Sequence, residues 1–455
     1  MSEFDILFAP IAEREVIFYL NVAKYLRKKY NMKSSFLTFY SPCDDLIRKR
    51  GFKVFSIHEE KYSFKEYYSP QKVKDLEKRY GEDNLRALLA HEKLTFARYD
   101  EKSLFEKMLT YQKYIENILD SNKIGLVAQE LGGFIAPLVL FNECKLKGID
   151  HVFFEPALYK GKLFYNMNSM EVDLKDGDSK EAMEYIKRYL EGYNDQHTIV
   201  IPQKDRHHFM DASIKKLINN RNLRQLARKI YYKYIMKKDE EYDAILNHVK
   251  RFTTMYFRRK GLSDLYSSPD FSEKYIYFPL HVPLDFQLTV REPQYLNQVE
   301  LLSQVAKMLP VGYKLYTKEH PASIGGYAFF AMRTLLKENK NVRLINPGEN
   351  SYDLIKNSQY VLTINSKVGA EAVMQGKDVL VLGNPYYLES KKARKIYDIK
   401  ELNNILNNEI PKNKELDYDF FKKVYFSCYN AELYNNESEN IKEFSEALKE
   451  KIKKG

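Results

Sequence analysis

Two separate runs of alternating strand and helix patterns constrain this 455-residue chain more than any other feature. In the first run, strands read at residues 5–9, 35–40 and 53–57 alternate with helical spacing at 14–29 and 43–50, the latter closed by Gly51. A long, polar and mostly helical stretch follows at 62–122. The alternation then resumes with a strand at 124–129, a Gly132-Gly133 turn, a helix to Lys147 and a strand at 151–155. Parallel neighbours need a crossover, and a helix supplies it, so this alternation predicts a parallel sheet covered by helices.

Residues 170–260 are Lys-, Tyr- and Glu-rich and read as helix, interrupted near 198–202, forming a helical elaboration of the first lobe. The Ser-Ser-Pro-Asp stretch within 261–272 reads as a linker. A second run begins after it. Strands at 275–279, 314–318, 342–345, 359–364 and 378–382 alternate with helices at 295–309, 328–338, 352–357 and 368–375. The chain ends in helices, the last at 438–453. The expected architecture is α/β with two Rossmann-like lobes: an N-terminal lobe over 1–262, a C-terminal lobe over 273–400, and helices over 401–455 that pack back on both. Tandem lobes of this kind place a ligand between them, at the carboxyl ends of the strands.

Composition narrows the setting. Three cysteines, Cys43, Cys144 and Cys428, are far apart and odd in number, which excludes a disulfide framework and a cysteine metal site. No apolar run approaches the ~20 residues that cross a bilayer. The acidic start MSEFDILFAP lacks the basic and apolar regions of a signal peptide, so a cytoplasmic protein is expected. The net charge of +11 favours anionic partners. Part of that excess is local: residues 221–238 hold seven Lys or Arg and no acid, mixed with Leu, Ile and Tyr. A solvated helix face is the plain explanation, and a surface resting on anionic lipid is the other.

Two strand-end motifs in the second run carry chemistry. Lys318-Glu319-His320-Pro321 follows the strand at 314–318. It offers a cation and an imidazole to a phosphate or a leaving-group oxygen, with Pro321 fixing the turn. The other is Asn365-Ser366-Lys367-Val368-Gly369-Ala370-Glu371, where a strand runs into a helix. Ser366 fits the N-cap, the unpaired amides behind it suit an anion, and Gly369 permits close approach of a ligand or a neighbouring backbone. Glu371 can accept from vicinal hydroxyls such as those of ribose. Taken alone, the first motif reads more simply as an ordinary strand exit, and the second suits a capped helix equally well. Together they indicate a nucleotide site made of Lys318, His320, Pro321, Asn365, Ser366, Gly369 and Glu371.

The order strand–Pro-Leu-His, Lys-Glu-His-Pro, Asn-Ser-x-x-Gly-x-Glu-Ala, Gly-Lys-x-Val and Gly-x-x-x-Tyr, over residues 275–387, resembles the capsular polysaccharide synthesis proteins. These include bacterial Kdo transferases, and the His-Pro and Ser motifs are similar to those of bacterial sialyltransferases. The resemblance implies a GT-B fold and a CMP-activated keto-acid sugar. It implies that His320 and Pro321 hold the cytidine monophosphate, Ser366 its phosphate and Glu371 the ribose. Lys367 departs from the family, where small or hydroxyl residues follow the serine.

In the first lobe, Glu130 of Gln129-Glu130-Leu131-Gly132-Gly133 stands at a strand end. Buried there, a carboxylate would have a raised pKa suited to proton transfer, although a helix-start glutamate beside a glycine turn explains it equally. A retaining reaction of the Kdo-transferase kind needs a second carboxylate, for which Asp205 is the candidate, against the plainer reading of an exposed loop residue. The His207-His208 pair lacks further ligands at metal spacing.

No phosphate-binding P-loop, dinucleotide fingerprint, zinc spacing or strand-end Asp-x-Asp occurs. The expectation is therefore a metal-independent glycosyltransferase with no cofactor beyond its CMP-sugar donor (Kdo or a nonulosonic acid). Glu130, Asp205 and His320 would be catalytic, and the acceptor an oligosaccharide or glycolipid at the inner face of the membrane. The rivals are a CDP-glycerol or CDP-ribitol phosphotransferase of teichoic-acid type and a UDP-sugar enzyme. A nucleic-acid-binding protein ranks last, since no recognition signature accompanies the charge.

Overall fold

The structure is a computed structural model and describes residues 3–96, 100–197, 220–238, 245–408, 411 and 415–452. The first lobe is built on β1 (Phe4–Phe8), β2 (Ser34–Thr38), β3 (Lys53–Ser56), β4 (Ile124–Glu130), β5 (Asp150–Pro156) and β6 (Lys162–Met167). The second holds β7 (Lys274–Pro279), β8 (Tyr313–Lys318), β9 (Val342–Ile345), β10 (Tyr360–Thr363), β11 (Val379–Val381) and β12 (Ala393–Lys395). A last strand, β13 (Cys428–Asn430), returns to the first sheet.

Strand order identifies both lobes. The first sheet runs β13-β6-β5-β4-β1-β2-β3 and the second β12-β11-β10-β7-β8-β9. Counted within its own lobe, the second is 6-5-4-1-2-3, the full doubly wound order, and all its neighbours are parallel. The first has the same order over its five parallel strands. It departs from a purely parallel sheet at one edge, where β6 folds back antiparallel on β5 and β13 lies antiparallel on β6. The turn that reverses the chain uses Gly161 at φ +77. Chain direction changes sides between β1 and β4, and between β7 and β10. Those two switch points are where open sheets of this kind hold ligands.

The helical stretch after β3 resolves into helices Pro70–Tyr80, Arg86–Phe96 and Glu101–Ser121. Their buried faces (Leu76, Leu89, Leu104, Ile115) cover β1 and β4 on one side. The linker expected at 261–272 starts later. The helix Ile245–Leu262 runs through Gly261 and a 3-10 turn continues to Leu265. Leu262 is wholly buried in the second lobe's core, so apolar packing extends the helix past the glycine. A Cβ on Gly261 would lie 3.2 Å from the Phe329 ring, so the bare backbone serves close packing here rather than a break.

The C-terminal segment binds to both lobes. Helix Glu401–Asn408 buries Leu402 and Ile405 in the second. Helix Ser438–Glu450 sets Phe444 against Phe18 and Phe154 of the first, with ring centroids 4.9 and 4.8 Å apart. Between the lobes, one apolar cluster joins Tyr159 and Phe164 of the first to Tyr277 and Val373 of the second and to Phe420 and Phe421. No helix among the described residues is long and apolar enough to cross a membrane.

Candidate functional site

At the switch point of the second lobe, three loops meet on one imidazole. His281, two residues past β7, is 3% exposed. Its Nε2 accepts from the Asn365 amide at 3.2 Å, just past β10. Its own amide donates to Gln298 Oε1 at 2.9 Å, and its carbonyl accepts from Tyr327 Oη at 2.6 Å. Burial, with the nearby His320, pushes the imidazole down to about 3, so it is neutral. With Nε2 accepting, Nδ1 carries the proton, and that buried donor has no partner.

Asn365 is 6% exposed, and neither oxygen nor nitrogen of its carboxamide has a partner. A Cβ on Gly383, after β11, would lie 2.0 Å from Asn365 Oδ1 and 3.0 Å from Glu292 Oε1. Only glycine leaves the carboxamide room. Unsatisfied buried amides cost about 1–3 kcal/mol each. Such a cost at a switch point marks a place where a ligand can repay it.

Ser366 caps the helix Lys367–Met374: its Oγ accepts from the Val368 amide at 3.2 Å, while its own amide donates to Thr363 Oγ1. Gly369 faces Tyr387, whose ring would be 2.5 Å from an added Cβ, and Tyr387 Oη donates to the Ser366 carbonyl at 2.8 Å. The space at Gly369 is thus filled by a tyrosine that braces the serine. Glu371 lies deeper, 3% exposed, and its charge bears on Lys318, Tyr193 and Tyr277.

In the loop after β8, the chemistry divides among adjacent residues. Lys318 turns inward: its Nζ donates to the Glu349 carbonyl at 2.8 Å and to Ser351 Oγ at 2.5 Å. Burial lowers it to about 8, against the opposing pull of Glu371 and Glu349. Glu319 is wholly buried and raised by desolvation, though it accepts from Tyr266 Oη at 2.6 Å and from the Gly325 amide at 3.0 Å. It shapes the 319–327 loop. His320 and Pro321 stay partly exposed, and His320 Nδ1 accepts from the Ala322 amide at 3.1 Å, which aims the other ring nitrogen away from that turn.

In the first lobe, Glu130 ends β4 half-buried, beside the wholly buried Tyr19. Glu15, 3% exposed, accepts from the Ile11 amide at 2.8 Å in the turn after β1. Burial, then Glu15, then Glu130 raise the Tyr19 phenol, whose oxygen has no hydrogen-bond partner. Two carboxylates and a phenol therefore gather at the β1–β4 switch point. Asp205, His207 and His208 lie outside the described residues.

The two carboxyl edges face each other. Arg291, after β7, holds Glu155 at the end of β5. His91 Nδ1 meets Thr289 Oγ1 at 2.8 Å, where Gly133 leaves room for the ring: a Cβ there would lie 2.7 Å from His91 Cγ. Gly133 thus serves a lobe-to-lobe contact. Sequence reading missed His281, Glu319, Glu15 and Arg291 as organisers of the site. His281 carried a signal in the strand–Pro-Leu-His order, and Glu319 stood inside the Lys-Glu-His-Pro motif.

The fold and the paired edges define a two-lobed, GT-B-like α/β protein with its cleft at the two switch points. Residues 185–390 match the model of the capsule polysaccharide biosynthesis protein family, a span that takes in most of the second lobe and the helices leading into it. Protein FixF of Sinorhizobium fredii (strain NBRC 101917 / NGR234) is 30% identical over 124 residues, 26% of this chain and 28% of that protein. The chain thus spans little more than a quarter of that relative. The β-Kdo 2,4-transferase of Thermosulfurimonas dismutans KpsC superposes with a TM-score of 0.40 at 13% identity, covering 72% of this chain and 87% of that one. A UDP-GlcNAc 2-epimerase from Methanocaldococcus jannaschii gives 0.26 at 14% identity, over 93% and 98%. The fold assignment rests on the strand order and not on these scores.

Proposed function

We propose that this chain is a metal-independent glycosyltransferase that takes a keto-acid sugar, Kdo or a nonulosonic acid, from a CMP-activated donor. The acceptor is a surface-glycan oligosaccharide or glycolipid, met at the inner face of the membrane. The observation that carries the reading is the meeting of His320 and the Asn365 backbone amide, the residue before the Ser366-capped helix, on His281, opposite the Glu130 edge. Helix-start amides and a half-exposed imidazole suit a phosphate leaving group. Pro321 fixes the His320 turn. Glu371 is the ribose partner by resemblance, and Lys318 supports the site as a buried cation under the loop, next to Glu371.

In this reading the unpartnered Asn365 carboxamide and His281 Nδ1–H bond the nucleotide or the sugar carboxylate. Glu130 acts as acid/base from the first lobe, and Asp205 is the second carboxylate of a retaining reaction. The match of 185–390 to the capsule family supports the class of product. Thermal-shift titration with CMP, CDP, UMP and UDP tests it, because a ligand of the folded state must raise the midpoint. Stabilisation by CMP, lost in His320→Ala, is expected. A preference for CDP moves the assignment to polyol-phosphate transfer, a preference for UDP to a UDP-sugar enzyme, and no shift refutes the nucleotide site.

A further inference from the structure

The most unusual surface of the molecule lies away from the switch points. Helix Asn220–Ile230 passes into a π-helical turn, Tyr231–Ile235, and along these residues Leu223, Ile230, Tyr231, Tyr234, Ile235 and Met236 are all exposed. Tyr234 is 70% and Ile235 66% open to solvent. Other large exposed apolar residues, such as Val311 and Tyr397, stand singly. A continuous apolar strip of this kind calls for a covering surface.

The charges around the strip divide into two sets. Arg228 pairs with Glu13 and Lys238 with Asp45, tying the segment to the first lobe at its middle and its C-terminal end. Arg224, Lys233 and Lys237 are instead exposed, as the apolar residues are. Between 221 and 238 there are seven basic residues and no acid. Aromatic and aliphatic tips flanked by long cations are what the headgroup boundary of an anionic bilayer accepts: the rings enter the interface while the ammonium groups stay at phosphate level.

We infer that residues 223–237 form a docking surface for an anionic lipid bilayer, with Tyr231, Tyr234, Ile235 and Met236 entering the interface. The anchor at Glu13 is two residues from Glu15, whose charge reaches the same phenol, Tyr19, as Glu130. The membrane-bound face therefore adjoins the first lobe's half of the cleft. For its purpose this rests on the acceptor proposed above, because a glycolipid headgroup would reach Glu130 without leaving the membrane surface. The docking itself stands without that reading.

Co-sedimentation of the full chain with phosphatidylcholine vesicles, with and without phosphatidylglycerol, tests it. Binding is expected only with the anionic lipid and should weaken as salt rises. Lys233→Gln with Lys237→Gln should weaken it roughly thirtyfold, and Tyr234→Ser with Ile235→Ser roughly tenfold or more, while Val311→Ser leaves it unchanged. Neither double variant should alter the thermal shift with CMP, so loss of vesicle binding and loss of the nucleotide site read separately. Equal binding by wild type and both variants, or equal binding to neutral vesicles, overturns the inference. So does competition by RNA that the apolar variant leaves intact, or self-association through the patch with no vesicle binding.

Discussion

Arg291 of the second lobe donates to both carboxylate oxygens of Glu155 in the first, at 3.1 and 2.9 Å, with side chains only 10% and 13% exposed. The paired geometry suits a guanidinium and resists substitution by lysine. Gln287 and Asn166 complete the carboxylate's shell at 3.4 Å each, and Arg291 also reaches the Met170 carbonyl. The pair ties the loop after β7 to the end of β5.

Truncating one partner leaves the other charge buried alone. Glu155→Ala is expected to cost about 3 kcal/mol of unfolding free energy, within the range for broken buried pairs. Arg291→Met with Glu155→Leu should recover most of it, since the desolvation cost disappears with the charges. Denaturant unfolding of the three proteins measures this. A Glu155→Ala variant as stable as wild type would show that the lobes do not depend on the pair.

Glu130→Gln separates chemistry from binding. The glutamate is half-buried at a strand end, so the amide fits the same space. Transfer should fall about 10²–10⁴-fold, the usual share of general acid–base catalysis. Stabilisation by CMP should be unchanged, because Glu130 lies in the opposite lobe. A parallel loss of nucleotide binding would place Glu130 in the donor site instead.

The alternating runs were legible because apolar strands and 3.6-residue spacing are local. Val342–Ile345 lies as read, and most other strands shift by one or two residues. The strands β6, β12 and β13 were not legible. β12 and β13 are three-residue sheet edges, and β6 is the antiparallel return between β5 and β13, so each owes its form to its partners rather than to its own pattern. The site divides in the same way. Ser366 as N-cap is a local relation and stood in the sequence. That Lys318 turns inward to Ser351 depends on a helix 33 residues away, and the role of His281 depends on loops 46 and 84 residues distant.

Gly369→Ala tests whether the small residue serves the fold. The added methyl would lie 2.5 Å from the Tyr387 ring. Overpacking of this kind costs about 1–3 kcal/mol. Tyr387→Leu removes the ring and also the bond to the Ser366 carbonyl. The double variant should therefore lose less than the sum of the two single losses, a coupling that thermal or denaturant unfolding reads directly. Strict additivity would mean that Gly369 is kept small for a reason other than Tyr387.

Asp44 gives the molecule a pH-dependent weakness. It is 1% exposed beneath the ends of β2 and β3, where Thr38 Oγ1 and Ser56 Oγ donate to its two oxygens at 2.6 and 2.7 Å. Burial outweighs those bonds and lifts its pKa from 3.8 to about 6. Between those values the folded state holds the proton more tightly than the unfolded chain, so stability is fully present below 3.8 and is lost as pH rises through 6. At about 1.4 kcal/mol per pH unit the loss approaches roughly 3 kcal/mol. The carboxamide of an Asp44→Asn variant would keep both hydroxyl contacts without the charge, because a hydroxyl can accept as readily as donate. The stability difference between Asp44→Asn and wild type should therefore grow in the variant's favour from about pH 4 to about pH 7, then level off. Denaturant midpoints across that range decide it, and a difference independent of pH would mean that the carboxylate is no harder to ionise in the fold than in water.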